Sequence, residues 1–69
     1  MKNHLEKLRA QKNWTQQDLA DRVEVSRQTI ISLENGKYNP SILLAFRLAK
    51  CFETTIEELF IYEEEEEGK

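Results

Sequence analysis

Residues 15–41 read TQQDLADRVEVSRQTIISLENGKYNPS, and apolar residues recur in this segment at helical spacing. Residues three and four positions apart lie on one face of a helix, so the spacing predicts two short amphipathic helices. The first group of apolar positions is Leu19, Ala20 and Val23. A turn at Glu24 follows, and the second group is Val25, Ile30 and Leu33. The segment therefore predicts a helix-turn-helix from Gln16 to Asn35.

Capping residues mark the helix ends in this segment. Thr15 and Ser26 are hydroxyl residues at the positions where the two helices are expected to begin, and Asp18 follows Thr15 by three positions. Such hydroxyls accept hydrogen bonds from free backbone N–H groups of the first turn. Gly36 can take the left-handed conformation that ends a helix. These signals place the second helix of the motif at about residues 26–35.

Three further short helices are predicted on either side of the motif. The first covers His4 to Gln11, with Arg9 on its solvent side. Ser41 caps the second, and a capping box at Thr55 opens the third. The apolar positions are Leu5 and Leu8 in the first of these helices and Leu59 and Phe60 in the third. In the second helix they are Ile42, Ala45, Leu48, Ala49 and Phe52. Together with the motif they predict an all-α fold of five helices.

Aromatic and β-favouring residues add to this expected core. Trp14 lies between the first two helices, where a large aromatic side chain more often fills the core than stacks on a ligand, so we expect substantial burial. Cys51 lies on an apolar helix face and is expected in the core as well. Phe60-Ile61-Tyr62 favours a short strand. Two pairings stay open for it: with the N-terminal residues of the same chain, or across a dimer.

Charge is unevenly distributed along the chain. The 69 residues carry a net charge of −3, and five consecutive acids occupy Glu63 to Glu67. Residues 1–62 hold nine Lys/Arg against eight Asp/Glu, a formal charge of +1. A chain of this length has room for one compact domain. We predict that domain over residues 1–62 and a solvated acidic tail over residues 63–69.

The sequence argues against membrane, metal and enzyme functions. It has no apolar run of spanning length and no signal-peptide pattern, so we expect a cytoplasmic protein. Cys51 is the only cysteine and His4 the only histidine, which leaves no cluster of thiolate or imidazole metal ligands. No nucleophile, base and orienting group converge. We therefore expect no cofactor, no metal ion, no small-molecule ligand and no catalysis.

Polar residues on the second motif helix carry the functional prediction. Arg27, Gln28, Thr29 and Ser32 cluster toward its N-terminus. In the major groove of DNA, Arg suits guanine O6/N7 and Gln suits adenine N6/N7, so Arg27 and Gln28 are the leading base-reading candidates. Thr29 offers a hydroxyl and a methyl group, and Ser32 reaches a shallower position. The alternative for all four residues is a merely solvated helix face.

The segment quoted above resembles the core of the Xre/Cro/C1-type helix-turn-helix regulators, a family that includes the lambdoid phage repressors. The resemblance extends from Leu5 to Phe60, and its most specific parts are the TQ-DLA opening, the VSRQTI segment and the LENGKYNPS exit. It implies a lambda-repressor-like bundle of five helices with a small terminal sheet. It also implies homodimers that bind palindromic operators in double-stranded DNA.

The resemblance further implies residues that bind phosphate. By position, Gln16 would hold a phosphate at the start of the first motif helix together with the backbone there, and Asn35 would hold another. Lys37 and Tyr38, just past the recognition helix, would contact the flanking backbone. These contacts would set the register on the duplex without carrying sequence information.

Two positions depart from the family pattern. Glu24 in the interhelix turn and Glu53 after the fourth helix stand where the family commonly has glycine. A residue other than glycine costs about 1 kcal/mol or more in a left-handed turn, so either these turns have another shape or the protein tolerates strain. Ile31 is a further unusual position, because it is apolar but lies beside the buried face of its helix rather than on it. It could be exposed, contact a thymine methyl group, or join a partner surface.

The sequence therefore predicts a sequence-specific transcriptional regulator, with repression as the expected direction. One recognition helix reads too few base pairs for specificity, so we expect a homodimer. The last helix and residues 60–62 are the expected dimer surface. The alternative is an antitoxin or a protein-interaction adaptor that kept the scaffold, which the near-neutral charge of residues 1–62 would suit.

Overall fold

Five short helices and a two-stranded sheet make up residues 2–61, the part of the chain that this computed structural model describes. The predicted acidic tail over 63–69, and Tyr62 before it, lie outside the described residues. The elements are β1 (Lys2–Asn3), α1 (Leu5–Gln11), α2 (Gln16–Val23), α3 (Arg27–Glu34), α4 (Ile42–Cys51), α5 (Ile56–Leu59) and β2 (Phe60–Ile61). The prediction of five helices is confirmed, and α2 and α3 form the helix-turn-helix.

Hydroxyl caps open α2, α3, α4 and α5 as the sequence predicts. The hydroxyl oxygens of Thr15, Ser26, Ser41 and Thr55 each accept a hydrogen bond from a backbone N–H three residues on. At Thr15 the box is complete, because Thr15 N also donates to the Asp18 carboxylate at 2.9 Å. At Thr55 only half of the predicted box forms. The Glu58 carboxylate there accepts from the Thr54 hydroxyl at 2.8 Å instead.

The complete capping box makes the stability of α2 depend on pH. Hydrogen bonds from the Thr15 backbone and hydroxyl lower the pKa of Asp18. A carboxyl whose pKa is lowered on folding stabilises the protein above its unfolded pKa of about 3.9 and loses that contribution as the pH falls through the folded pKa. We expect Asp18→Asn to be less stable than the wild type at pH 7, with the difference shrinking below about pH 4. Urea unfolding of both proteins across this range measures it, and a constant difference would contradict the prediction.

Left-handed backbone ends three of the helices without glycine. Glu24 has φ 63° after α2, Glu53 has φ 56° after α4, and Asn13 has φ 59° after α1. Of the two possibilities for Glu24 and Glu53, the protein therefore keeps the glycine-like turn and tolerates the strain, which is about 1–2 kcal/mol per residue. The turn after α2 is held by Val25, whose N–H donates to the Ala20 carbonyl at 3.0 Å. Gly36, at φ 74°, takes the left-handed conformation expected after α3.

One apolar core joins all five helices to β2. Its buried side chains are Leu5, Leu19, Ala20, Val23, Ile30, Leu33, Leu44, Ala45, Leu48, Ala49, Phe52, Leu59 and Phe60. Ala20 is completely buried on α2, the helix that packs on α3, as expected for a small residue where two helices cross. One expectation is wrong: Ile42 is 75% exposed. It is the first residue after the Ser41 cap, on the outer side of α4, and Leu44 is buried instead.

The terminal strands pair within one chain. β1 and β2 are antiparallel, with Lys2 opposite Ile61 and Asn3 opposite Phe60. Of the two pairings left open by the sequence, the structure therefore contains the intrachain one. Asn3 also links this sheet to α3, because its Nδ2 donates to the Leu33 carbonyl at 2.7 Å.

Trp14 and Cys51 lie at the edge of the core, less deeply than predicted. Trp14 is half-buried; its ring centroid lies 5.4 Å from that of Phe52, and the Arg22 guanidinium lies 4.1 Å from the Trp14 ring. Cys51 is half-buried beside the core, and burial raises the pKa of its thiol, against the opposing charges of Arg22 and Lys12. A thiol in that state is a poor nucleophile, which agrees with a structural role.

Candidate nucleic-acid interface

The outward face of α3 is polar and accessible. Arg27 and Gln28 occupy its first turn, and both are exposed. Ser32, one turn after Gln28, is half-buried, and Asn35 follows as the exposed C-cap of the helix. Residues three, four and seven apart share a helix face, so Gln28, Ser32 and Asn35 form one ridge opposite the core. A ridge of amide and hydroxyl groups flanked by a guanidinium offers the donors and acceptors that base edges require.

Thr29 differs from the other base-reading candidates because its hydroxyl belongs to the cap of α3. Thr29 Oγ1 lies 3.0 Å from Ser26 Oγ, and the Thr29 N–H donates to the same Ser26 oxygen at 3.2 Å. The side chain is half-buried. Its hydroxyl is therefore already part of a local hydrogen bond, a structural role that the sequence did not indicate.

Gln16 is the first residue of α2, where a phosphate contact was expected, and its side-chain amide is held by a hydrogen bond to Glu34. Gln16 Nε2 donates to Glu34 Oε1 at 3.1 Å. An amide nitrogen carries two protons, so one N–H of Gln16 is used and the other is available for a further acceptor. Gln16 and Arg27 line the same open groove, about 600 Å³ in volume. The structure thus brings a phosphate-binding candidate and a base-reading candidate together.

An ion pair between Arg9 and Glu34 lies beneath Gln16. Arg9 Nε donates to Glu34 Oε2 at 2.8 Å, and Arg9 Nη2 donates to Glu34 Oε1 at 3.2 Å, so the ion pair is bidentate. The side chains are only 16% and 5% exposed. The hydrogen bond to Glu34 raises the pKa of Arg9. The expectation that Arg9 faces solvent is therefore wrong, because its charge is needed by the buried carboxylate.

The loop after α3 supplies the remaining phosphate candidates. Lys37 and Tyr38 are both exposed, Tyr38 to 45%. The Lys37 N–H donates to the Ser32 carbonyl at 3.0 Å, which keeps the start of the loop against the end of α3. Lys37 and Tyr38 therefore follow the Asn35 end of the ridge directly in the chain.

Comparison with known proteins identifies this arrangement. A family model described as helix-turn-helix matches residues 5–59, from the first core residue of α1 to the last residue of α5. The chain belongs to the Cro/C1-type helix-turn-helix family. Members of this family bind DNA, and the relatives of the chain are transcriptional regulators, so the protein is a DNA-binding helix-turn-helix regulator with a lambda-repressor-like fold.

Three known proteins illustrate how similar the relatives of this helix-turn-helix regulator are. The HTH-type transcriptional regulator MJ0272 of Methanocaldococcus jannaschii is 58% identical over 66 residues, covering 96% of this chain and 100% of that protein. The competence pilus inhibition repressor of Acinetobacter baylyi is 42% identical over 59 residues, covering 83% of this chain and 52% of that protein. Among solved structures, the restriction-modification controller protein C.AhdI from Aeromonas hydrophila superposes with a TM-score of 0.73 at 30% identity, covering 81% of this chain and 85% of that one.

Ile31 of the helix-turn-helix regulator lies on α3 beside the polar ridge, on the side of Arg27. It follows Arg27 by four residues and Gln28 by three, so it borders both. The side chain is half-buried and is not among the apolar groups that pack on the core within residues 2–61. Of the three possibilities named for Ile31, full exposure is therefore wrong. An apolar side chain at this point adjoins the two base-reading candidates.

Two absences in the described part of the regulator bear on its chemistry. Within residues 2–61, no group of three or more His, Cys, Asp or Glu side chains is arranged to hold a metal ion. The helices in the same residues are all too short or too polar to cross a membrane. On α3 itself Arg27 is the only cation, so the outward face of this helix is polar rather than strongly basic.

Proposed function

We propose that the protein is a sequence-specific regulator that inserts α3 into the major groove of DNA. Arg27 and Gln28 read base edges, Ser32 contacts a base at a shallower depth, and Thr29 contributes where its cap hydrogen bond allows. The observation that carries this proposal is the exposed polar ridge of α3 in a helix-turn-helix, with Arg27 beside the groove of Gln16. With Arg27 as its only cation, this helix gains affinity through base contacts more than through charge.

Phosphate contacts on both sides of α3 fix its register in this proposal. Gln16 and the first turn of α2 bind one phosphate, while Asn35, Lys37 and Tyr38 bind the backbone beyond the other end of α3. The hydrogen bond from Gln16 to Glu34 supports this role, because it fixes the direction of an amide that still has a free N–H. Helix N-termini are suited to phosphate, since their first backbone N–H groups have no partner within the helix.

The regulator acts in this proposal as a homodimer on a palindromic operator, in the cytoplasm where chromosomal DNA is accessible. α3 has eight residues and is about 12 Å long, which spans about four base-pair steps. Two copies related by a two-fold axis double the length that is read. Repression is the proposed direction, supported by the likeness to the Acinetobacter repressor. Residues 1–62 form the binding domain, and residues 63–69 form a separate acidic tail.

Selection of bound DNA from a random pool tests the proposal. The full chain should enrich one sequence with two inverted half-sites. In a fluorescence-anisotropy titration at about 100 mM salt, it should prefer this duplex to a shuffled one of equal composition. If no sequence is enriched and the two duplexes bind equally, the protein is an antitoxin or adaptor that uses the same scaffold, and the proposal is wrong.

Substitutions on and beside α3 should separate base reading from phosphate binding. We expect Arg27→Ala and Gln28→Ala each to lose about 1–3 kcal/mol of discrimination, a factor of about 5 to 150, at one base pair of each half-site. Lys37→Ala, the matched exposed cation outside the ridge, should weaken every duplex alike and reduce the salt slope by about one unit. Anisotropy titrations with single-base variants of the operator measure both effects. Identical behaviour of Arg27→Ala and Lys37→Ala would contradict the assignment of Arg27.

A further inference from the structure

A groove that shares only Trp14 with the groove of Gln16 and Arg27 is lined by positive charge. It is about 470 Å³ in volume and lies between the C-terminal ends of α2 and α4. We call it the basic groove, and its lining residues are Trp14, Arg22, Glu24, Arg47, Lys50 and Cys51. Arg22 is in the last turn of α2 and Gln16 is its first residue, so the basic groove lies at the other end of this helix from the expected phosphate contact.

Lys12 adds a fourth cation beside the basic groove. Its Nζ lies 5.7 Å from the centroid of the Trp14 ring. Burial raises the pKa of the Cys51 thiol, and the charges of Arg22 and Lys12 oppose this rise, so both cations lie near the sulfur. Four of the nine Lys and Arg residues within 2–61 are thus gathered here, more than the two cations proposed to contact DNA.

Most of this charge has no partner within residues 2–61. The side chains of Arg22 and Lys50 are exposed and form no hydrogen bond or ion pair there. The Arg22 guanidinium carbon lies 4.1 Å from the centroid of Trp14, and a cation–π contact of this kind leaves the N–H groups for other acceptors. Arg47 is paired with Glu24, but this 3.5 Å contact is exposed and therefore weak. The basic groove accordingly has a surplus of positive charge.

The C-terminal residues carry the opposite charge. Glu63 to Glu67, which we call the acidic run, are five consecutive carboxylates, while residues 1–62 have a formal charge of +1. Guanidinium groups match the geometry of carboxylates, and the pair of Arg47 with Glu24 shows that a carboxylate fits at the basic groove. Five carboxylates in sequence can engage several of the four cations at once. Charge complementarity therefore favours the acidic run as the occupant.

The end of the described chain lies within reach of the basic groove. Lys50 is also on the wall of a second groove, which Ile56 and Glu57 of α5 complete. From Ile56 to Ile61, the last residue of β2, the backbone advances about 11 Å, in three helical and two extended steps. The six residues from 62 to 67 can span up to about 20 Å. The acidic run is therefore long enough to meet Lys50 and the cations beyond it.

We propose that the acidic run binds in the basic groove of its own chain, with its carboxylates on Lys12, Arg22, Arg47 and Lys50. The proposal goes beyond DNA recognition, because it assigns an intramolecular partner to a surface at the other end of α2. Each exposed ion pair is weak, but a segment attached to the same chain is present at a millimolar effective concentration, so several pairs form together. Salt weakens them, since exposed charges are screened over about 8 Å at physiological ionic strength.

Occupation of the basic groove removes positive charge from a surface that does not read bases. A cation that already contacts a carboxylate attracts phosphate less, so nonspecific DNA binding through this surface decreases. Arg27 and Lys37 are not part of the basic groove and stay available to the operator. The acidic run thereby raises the ratio of specific to nonspecific binding.

Carbodiimide cross-linking of the full chain tests the contact. The reagent joins a lysine amine to a carboxylate that touches it, without a spacer. We expect cross-links from Lys12 and Lys50 to the acidic run at low salt, and about ten-fold fewer at about 0.5 M sodium chloride. Lys7 and Lys37 are the matched controls, since both are exposed and neither lines the basic groove. Mass spectrometry of the digested protein identifies the joined residues.

Three outcomes of the cross-linking would overturn the proposal. The first is that Lys12 and Lys50 do not react with the acidic run. The second is that Lys7 or Lys37 reacts with it as often as they do, which would mean that the run has no preference for the basic groove. The third concerns a mixture of chains with natural and heavy nitrogen: cross-links that join only two chains would assign the run to a second copy.

Backbone amide shifts in NMR spectra give a readout that does not depend on lysine chemistry. A variant with Gln in place of all five Glu residues of the acidic run keeps the length of the chain and removes the charge. We expect its shifts to differ from those of the wild type at the C-terminal ends of α2 and α4, with the difference vanishing at about 0.5 M salt. Millimolar pentaglutamate peptide should restore the wild-type shifts in the variant. Differences along α3 instead, or nowhere within residues 2–61, would contradict binding in the basic groove.

Reversal of one charge completes the test with a matched pair of variants. Lys50→Glu should lower the yield of Lys12 cross-links about three- to ten-fold, because an attractive contact is replaced by a repulsive one. Lys7→Glu changes the net charge equally outside the basic groove and should leave that yield unchanged, so equal effects would refute the proposal. Circular dichroism verifies that both variants are folded. None of these samples contains DNA, so failure here is distinguishable from failure of the proposed function.

Discussion

Replacing Arg9 by Met is expected to lower the free energy of unfolding by about 3–5 kcal/mol, the cost of leaving one partner of a buried ion pair alone. Glu34, whose side chain is 5% exposed in the wild type, would keep its negative charge but lose both hydrogen bonds from the guanidinium. The single N–H of Gln16 is too weak a replacement. Such a loss is large for a small domain, whose whole stability is about 5 kcal/mol or somewhat more.

Urea unfolding and thermal melting measure this effect. The melting temperature of Arg9→Met should fall by at least about 12 °C, since 1 kcal/mol corresponds to about 4–8 °C in a domain of this size. Arg47→Met is the matched control, because Arg47 forms a 3.5 Å ion pair with Glu24 whose side chains are 43% and 76% exposed. Exposed pairs contribute about 0–1 kcal/mol. Equal losses in Arg9→Met and Arg47→Met would contradict the account of a buried pair.

The double variant Arg9→Met/Glu34→Leu refines this prediction. With the buried carboxylate also removed, much of the lost stability should return, because two apolar side chains can replace a buried ion pair at little or no cost. DNA binding should not return with it, since Gln16 would have lost the acceptor that orients its amide. Recovery of full operator affinity in the folded double variant would show that Glu34 does not position Gln16.

Replacing Leu33 by Ala is the second substitution with a large expected effect, about 2–5 kcal/mol of stability. Leu33 is completely buried on the inner side of α3, so truncation leaves a cavity beneath this helix. Ile31→Ala is the control on the same helix: the side chain is half-buried and does not pack on the core, so its stability loss should stay below that of Leu33→Ala. The two variants compare the inner and outer faces of α3.

DNA binding should reverse the order of these two variants. At a temperature where both are folded, Leu33→Ala should keep the base preference of the wild type, because it leaves the outward side chains in place. Ile31→Ala should lose preference for one base pair, with thymine as the base expected opposite the isoleucine, since an apolar side chain contacts the thymine methyl group favourably. Unchanged preference in Ile31→Ala would contradict a role of Ile31 in the groove.

Local signals made most of the fold predictable from the sequence. A cap such as Ser26 acts on backbone groups three residues away, and a buried stripe such as Leu19 and Val23 reflects the period of one helix, so both can be identified without knowing the tertiary structure. The sequence left two possibilities for Glu24, a strained left-handed turn and a turn of another shape, and did not decide between them. Whether a turn tolerates strain depends on tertiary contacts of the residues around it, here the burial of Val23 in the core.

Long-range contacts account for what the sequence did not reveal. Arg9 and Glu34 are 25 residues apart, and no local pattern distinguishes a solvated arginine from one that neutralises a distant carboxylate. The same contact decides the orientation of Gln16. Ile42 has the spacing of a core residue, but it is the first residue of α4 and its side chain is 75% exposed. The candidate base-reading residues on α3 were identifiable because an amphipathic helix shows its outer face in its own sequence.

Trp14 gives the molecule a spectroscopic property of its own. It is the only tryptophan in the chain, so the long-wavelength fluorescence comes from one site. One side of the indole packs near Phe52 in the core, and another borders the groove that Gln16 and Arg27 line. Its emission therefore responds to unfolding through solvent exposure and to an occupied groove through the local field. An unlabelled sample can report on folding and on DNA occupancy in the same cuvette.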